Sequence, residues 1–300
     1  MSSQSSSMDM ADWPLQTSTR QGSFTSMTPL SETASIHFSN FPLPPTPTAS
    51  RPPSDRSVLS NCASNHIIHV PLARPVTITF AKGSKLFKLK FSHIEMRKDP
   101  AGNLKRIELS ETSGCQSTLI HSFPSSKAPI PHLEEPVTSS SGHIPRVSFL
   151  EEQTVQTASN LFQAQPQYSF ETWEDCTHFQ ESLLAQTIIF TAGIAEAKSK
   201  GRGEECISQN LRLLRARTGR QVLLFLANSQ RKEKKRYVSI PLDCIDRVEQ
   251  SKKHGKPISL SLRPNFELLA QMKALQIRFL DEHDQQRFFG LLCQGVGFQG

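Results

Sequence analysis

Hydrophobic and polar residues alternate along much of the chain from about residue 67 onward, and this alternation predicts β-strands. The clearest example is Leu275–Phe279, in which every second residue is apolar. Phe288 and Leu292 follow at helical spacing, and Asp281 is placed to cap a helix at its start. The pattern therefore predicts a strand that leads directly into one short capped helix.

The same arrangement occurs earlier in the chain. Tyr168–Phe170 alternates, Thr172–Asp175 has the spacing of a capping box, and an apolar stripe predicts a helix from about 173 to 184. At a constant offset of 109 positions, Phe170, Asp175, Phe179 and Leu183 recur as Phe279, Asp284, Phe288 and Leu292. This correspondence predicts two modules, each ending in a strand and a helix.

Further segments have the alternation or the β-branched composition of strands. They are Val76–Phe80, Leu86–Phe91, Leu104–Leu109, Val147–Leu150, Thr187–Ala197, Ile207–Arg217, Val222–Ala227, Tyr237–Leu242 and Ile258–Leu262. Val222–Ala227 is apolar on both faces, so we expect the first module or a partner to cover its outer face. Residues 185–197 could also continue the preceding helix, but their β-branched residues favour a strand.

Composition divides the chain into three parts. Residues 1–65 are rich in Ser, Thr and Pro and predict a disordered tail, because they bury too little apolar surface to offset the entropy of ordering. Residues 66–184 and 185–300 each have the length and strand content of one β-rich module. Within the first module, Pro, Ser and His replace the alternation, which predicts an inserted flexible loop at about 110–145.

The net charge of +7 is concentrated in one region. Between positions 198 and 256 there are sixteen Lys or Arg residues and six Asp or Glu residues. Such a region favours partners that carry phosphate, namely inositol phospholipid headgroups, an anionic membrane surface or nucleic acid. The alternative interpretation is a solvated basic face.

Several classes of function lack their sequence signals. The six cysteines are far apart and form no C-x-x-C pair, which predicts reduced thiols in a cytoplasmic or nuclear protein and no zinc site. Phosphate-binding loops, nucleophile elbows and metal-protease motifs are missing, so we expect neither an enzyme nor a cofactor. No stretch has the length and apolar character of a transmembrane helix. The oligomeric state is left open.

Modules of about 110 residues, built from a meander of strands closed by one C-terminal helix, resemble the pleckstrin-homology (PH-like) superfold. The resemblance covers 185–293 well and 66–184 poorly, and it is carried by the strand count and by the run from Phe279 to Leu292. It implies two antiparallel β-barrel modules, each plugged by a helix. The family's helix usually carries a tryptophan, whereas Phe288 stands at that position here.

The resemblance also implies a place for phosphate. Lipid-binding members hold phosphates with a lysine in the first loop and a basic-x-Arg pair in the next strand. The corresponding residues here are Lys198, Lys200 and Arg202 in the loop and Arg215 and Arg217 in the strand. Arginine binds phosphate through its planar fork, and lysine acts as a point charge. The arginine pair comes late in its predicted strand.

A second basic run, at positions 231–236, is predicted to form a hairpin loop and to extend the same surface. Its basic residues are Arg231, Lys232, Lys234, Lys235 and Arg236. The run also fits a nuclear-import signal or a nucleic-acid contact. Aromatic residues for base stacking are missing around it except for Tyr237, which disfavours nucleic acid. A solvated hairpin tip is the simpler interpretation.

The sequence of residues 146–149 is similar to the docking motif of protein ligands of protein phosphatase 1. In that mode Arg146 would stay outside while Val147 and Phe149 entered pockets beside an added strand. An ordinary strand of the first module explains the same residues. The sequence thus favours a non-enzymatic intracellular adaptor that binds phosphoinositides or anionic membranes, with a protein scaffold that uses its sheet edges as the alternative.

Overall fold

The computed structural model describes residues 66–100, 102–112, 118–124, 129–138, 142–158, 160–200, 205–228, 235–250, 255–263 and 272–295. The tail expected at 1–65 lies outside these residues. The described chain is mostly β-structure in antiparallel sheets, with two α-helices. Neither of these helices is both long enough and apolar enough to cross a bilayer.

The N-terminal half (66–184) contains two sheets in its described part. Its strands are β1 (His66–Val70), β2 (Val76–Lys82), β3 (Lys85–Phe91), β4 (His93–Lys98), β5 (Leu104–Ser110), β6 (Leu119–Ser122), β7 (His132–Leu133), β8 (Arg146–Ser148), β9 (Gln153–Thr157), β10 (Asn160–Ala164) and β11 (Gln167–Ser169). The sheet orders are β1-β4-β5-β6-β9-β10 and β3-β2-β11-β8-β7. Apolar side chains of both sheets and of the following helix, α1 (Trp173–Leu184), form one core.

The C-terminal half (185–295) forms one curved sheet closed by a helix. Its elements are β12 (Gln186–Lys200), β13 (Glu205–Ala216), β14 (Gln221–Ala227), β15 (Arg236–Pro241), β16 (Ile245–Gln250), β17 (Ile258–Leu262), β18 (Ala274–Phe279) and α2 (Glu282–Gly295). The strand order is β15-β14-β13-β12-β18-β17-β16. β12 pairs with both β13 and β18, and register shifts at Ile188/Phe190 and Ile194/Glu196 allow it to bend around the core.

The boundary between α1 and β12 follows from local chemistry. The Thr172 hydroxyl accepts a hydrogen bond from the backbone N–H of Asp175 at 3.1 Å, which caps the first turn. Ala185 ends the helix in the left-handed region, with φ of 52°. The β-branched residues that follow enter β12, so the prediction of a strand at 185–197 is confirmed.

The repeated strand–helix pattern has the same ring geometry in both halves. The ring centroids of Phe170 and Phe179 are 5.1 Å apart at 45°, and those of Phe279 and Phe288 are 5.1 Å apart at 46°. Phe179 and Phe288 are fully buried. In each half, therefore, a phenylalanine pair of the same geometry packs the helix against the strand that precedes it. The finer assignment to two PH-like modules stays a prediction.

The outer face of β14 is covered, as the apolar pattern predicts. Leu224 and Leu226 are buried although they alternate with the residues that face the core of the sheet. Tyr237, which pairs with Leu226 in the ladder, donates its hydroxyl to the carbonyl of Pro131 at 3.4 Å. The N-terminal half thus supplies the cover at this position.

The segment expected to be an inserted loop at 110–145 contains two strands, β6 and β7, in its described part. From Leu133, the last residue of β7, to Val137, the chain runs between the halves, and we call this segment the strap. Asn210 of β13 donates its side-chain amide to the carbonyls of Leu133 at 3.3 Å and Glu135 at 2.7 Å. Backbone hydrogen bonds hold the strap as well: the N–H of Glu134 donates to the carbonyl of Arg146 at 3.1 Å, and the carbonyl of Val137 accepts from the N–H of Gly193 at 2.8 Å.

Candidate anion-binding cleft

The basic residues expected to form one surface lie at two ends of the C-terminal sheet. Consecutive turns of a meander alternate between the ends of its sheet. The end of β12 and the starts of β13 and β15 therefore share one end of the sheet, and the 217–220 turn lies at the other. In the backbone ladder of β12 and β13, Lys198 lies opposite Glu205 near the first end, whereas Arg215 lies opposite Thr187 near the other. Eleven residues of strand separate the two groups, roughly 30 Å or more.

At the first end, the described basic side chains are exposed or already paired. The Lys198 ammonium lies 2.5 Å from a carboxylate oxygen of Glu196, and Lys200 and Lys235 are exposed. Arg236 is half-buried. Four of the predicted residues lie outside the described part of the chain, namely Arg202, Arg231, Lys232 and Lys234.

At the other end, Arg215 and Arg217 line a cleft of about 340 Å³ between the two halves. Lys98 at the end of β4 and His178 on α1 line it from the N-terminal half. We call this feature the cationic cleft. A cleft between two packed units is a common place for a ligand, because side chains from both converge there.

Lys98 is the most enclosed cation of the cleft, with only 7% of its surface exposed. Its ammonium donates to the backbone carbonyl of Ser182 at 3.2 Å, in the last turn of α1, where carbonyls lack helical partners. Burial lowers the pKa of Lys98, and the positive charge of Arg217 lowers it further. Lys98 therefore stabilises the end of α1 while adding its charge to the cleft.

The two arginines of the cleft are not ion-paired with a carboxylate among the described residues, and Glu181 offsets only part of the positive charge. Neither Arg215 nor Arg217 has an ion pair with a described Asp or Glu, and both are exposed. Glu181 is the acidic residue of the lining, and its carboxylate accepts the backbone N–H of Ile188 at 2.7 Å. The positive potential is therefore available to an anion from solution.

The polar wall of the cleft comes from the start of β12. Gln186 and Thr187 line it beside Arg215. The amide oxygen of Gln186 is buried without a hydrogen-bond partner among the described residues. A half-turn of this amide about its terminal bond would present two N–H donors instead. Together with the Thr187 hydroxyl, the wall can supply donors of the kind that phosphate oxygens accept.

The predicted phosphatase-docking residues do not form an accessible motif. β8 lies between β11 and β7 in its sheet, and Val147 and Phe149 are 0% and 2% exposed. Arg146 forms an ion pair with Glu135 of the strap at 2.5 Å. The interpretation of residues 146–149 as an ordinary strand accounts for the structure, because the side chains that would enter a partner's pockets already fill the core.

The remaining reactive groups are in structural positions. In the described part of the chain, Cys176, Cys206, Cys244 and Cys293 form no disulfide, and burial raises the pKa of Cys176 and of Cys206 to about 12. Such thiols are poor nucleophiles at neutral pH. Within the described ranges, no three His, Cys, Asp or Glu side chains group as metal ligands.

Sequence reasoning identified Arg215 and Arg217 but missed Lys98 and His178. The basic-x-Arg spacing is a local signal, whereas Lys98 reaches the cleft only because β4 ends against α1. A scan against models of known protein families matches none of them, and a search of curated proteins finds no match.

Proposed function

We propose that this protein is a non-enzymatic intracellular adaptor whose cationic cleft binds the phosphate groups of an inositol phospholipid headgroup. The observation that carries this proposal is the convergence of Arg215, Arg217 and Lys98 on one cavity without an ion-paired carboxylate among the described residues. Three cations and the Glu181 carboxylate give the lining a net charge of about +2. A phosphate group carries about −1.5 to −2 at neutral pH, so one phosphate of the headgroup nearly balances this charge.

In this proposal the two arginines and the lysine have different roles. The two arginines are exposed and can bind phosphate oxygens bidentately, each bond being stronger than one between neutral groups. Lys98 is fixed by Ser182 and adds a point charge at the floor. Binding of an anion beside Lys98 would raise its lowered pKa, because a negative neighbour favours the charged ammonium.

The proposal predicts which vesicles the protein binds. We expect sedimentation with phosphatidylcholine vesicles that carry a phosphorylated inositol lipid to recover the protein. Vesicles of equal total charge made with phosphatidylserine should recover less, and phosphatidylcholine alone should recover almost none. Soluble inositol phosphate should compete, since it carries the same phosphates without the lipid.

Two matched charge reversals locate the site on the C-terminal sheet. R215E/R217E should weaken vesicle binding by at least about a hundredfold, since each charge-assisted hydrogen bond contributes about 1.5–3 kcal/mol. K198E/K200E makes the same change of charge at the other end of the same strand pair and should weaken binding far less. Equal recovery on neutral vesicles, or a larger loss in K198E/K200E, would reject the cleft.

A further inference from the structure

The two sheets of the N-terminal half leave an open seam between their end strands. β3 ends one sheet and β10 ends the other, and among the described residues each has one strand neighbour. The rings of Phe80 and Phe162 meet across the seam with centroids 5.5 Å apart. A cavity of about 420 Å³ opens beside them and is lined by further aromatic side chains, including Phe87.

The edges of this seam expose more apolar surface than an edge strand normally tolerates. Leu86 on β3 is 74% exposed and Leu161 on β10 is 69% exposed. Phe87, which stacks on Phe80 at 5.4 Å, is 36% exposed. Unpaired backbone groups beside exposed apolar side chains form a template for an added strand.

The charge of the seam selects which strand can be added. The hairpin of β2 and β3 carries four exposed lysines, which outnumber Glu111, the acidic residue that lines the cavity, and none has a carboxylate partner among the described residues. These lysines are Lys82, Lys85, Lys88 and Lys90. Lysines on an edge strand usually prevent pairing between copies of the same chain. The same charges attract a strand whose acidic side chains face them.

We propose that β3 binds an extended segment of a partner protein in which acidic and apolar residues alternate. The added strand would continue the alternation of β3, whose seven residues set the length of the pairing. Its apolar side chains would lie on the face of Phe87 and Leu89, over the cavity. Its acidic side chains would lie on the opposite face of β3, where Lys88 and Lys90 follow the exposed Leu86 in the register with β2.

The test uses the full chain and fluorescence anisotropy of labelled seven-residue peptides. Wild-type protein should bind a peptide of alternating Glu and Val at least about tenfold more tightly than the matching peptide of Lys and Val. N-methylation of alternate backbone amides in the Glu peptide should abolish binding, because it removes strand hydrogen bonds and keeps every side chain. Equal binding of the N-methylated peptide would overturn strand addition.

Charge-reversed proteins complete the test. K88E/K90E should reverse the preference to the Lys peptide, and its fold can be checked by thermal melting because both positions are exposed. K256E/K273E makes the same change at exposed positions of the C-terminal half and should bind as wild type does. If K88E/K90E loses binding to anionic vesicles and keeps the preference for the Glu peptide, the hairpin contacts membranes and the proposal is overturned.

Discussion

The backbone N–H of Val137 donates to the side-chain oxygen of Asn210 at 2.8 Å, and this hydrogen bond joins the two halves of the protein. The same side chain donates to two carbonyls of the strap. Nearby, the guanidinium of Arg212 donates to the side-chain oxygen of Gln180 on α1 at 2.8 Å. Polar side chains of β13 therefore fix how the N-terminal half lies on the C-terminal sheet, and this arrangement shapes the cationic cleft.

Replacing Asn210 should destabilise the protein through the backbone groups that it leaves without partners. We expect N210A to lower the free energy of unfolding by about 2 kcal/mol in urea denaturation, since an unsatisfied buried polar group costs about 1–3 kcal/mol. N228A is the matched control. Asn228 makes two similar bonds to the backbone of Ile207, but in an exposed position, so its loss should stay below about 1 kcal/mol. Equal losses would contradict the role of Asn210.

Two glycine-to-alanine substitutions should change the free energy of unfolding in opposite directions. A Cβ atom on Gly193 would lie 2.5 Å from the carbonyl oxygen of Val137, which also accepts the Gly193 N–H, so G193A must displace the strap. We expect a loss of about 1–3 kcal/mol in thermal or urea unfolding. Gly290 lies inside α2 with open space around it, and G290A should raise stability by up to about 1 kcal/mol. A neutral G193A would show that the strap is loosely held.

The aromatic pairs at the two helices predict similar costs for equivalent truncations. F179A and F288A each remove a fully buried ring and should each lower the unfolding free energy by about 3–5 kcal/mol. F289A alters the next residue of α2, which is only half-buried, and should cost clearly less. Urea denaturation measures all three. A much smaller loss in F179A than in F288A would contradict the structural equivalence of the two helices.

His121 predicts how stability depends on pH. Its Nδ1 lies 2.8 Å from the Tyr168 hydroxyl, its Nε2 has no partner among the described residues, and burial lowers its pKa to about 3. In the unfolded chain, His121 takes up a proton near pH 6.5. The stability that comes from burying neutral His121 is therefore complete above that pH and is lost as the pH falls toward 3.

The measurement compares urea denaturation at pH 7 and pH 5. Between these values H121Q should lose roughly 2 kcal/mol less stability than the wild type, since the unfolded chain can no longer bind that proton. H66Q alters an exposed histidine and should lose as much as the wild type. An H121Q protein with the wild-type pH dependence would mean that His121 is protonated in the folded state.

Sequence periodicity located most of the strands whose apolar residues alternate and missed those that are mainly polar. β9 has one large apolar residue, Val155, and β16 has one buried residue, Ile245. β4 alternates Ile94 and Met96 with charged residues, but it closes on Lys98, whose burial no local pattern indicates. Such strands are held by their ladder neighbours, and pairing between distant segments is not visible in a local pattern.

The sequence predicted that Arg215 and Arg217 share one surface with the basic residues around Lys198, whereas the structure places them at the opposite end of the sheet. A basic-x-Arg spacing identifies the residue type, but its position along β13 decides which end of the sheet it occupies. Val147 and Phe149 show the converse case. Their spacing fits a docking motif, but Val147 is buried within β8, which lies between two strands, and Phe149, which directly follows β8, is buried as well.

The sequence by itself determined the antiparallel β-structure, the two capped helices and the repeated aromatic pair, because these depend on neighbours a few residues apart. The tertiary structure decided how the halves meet, where the strap lies and which cations share a cleft. Those features depend on contacts such as Asn210 with Val137 and Lys98 with Ser182, more than seventy positions apart in the chain. Such contacts form only when the sheets pack, so a pattern of neighbouring residues does not indicate them.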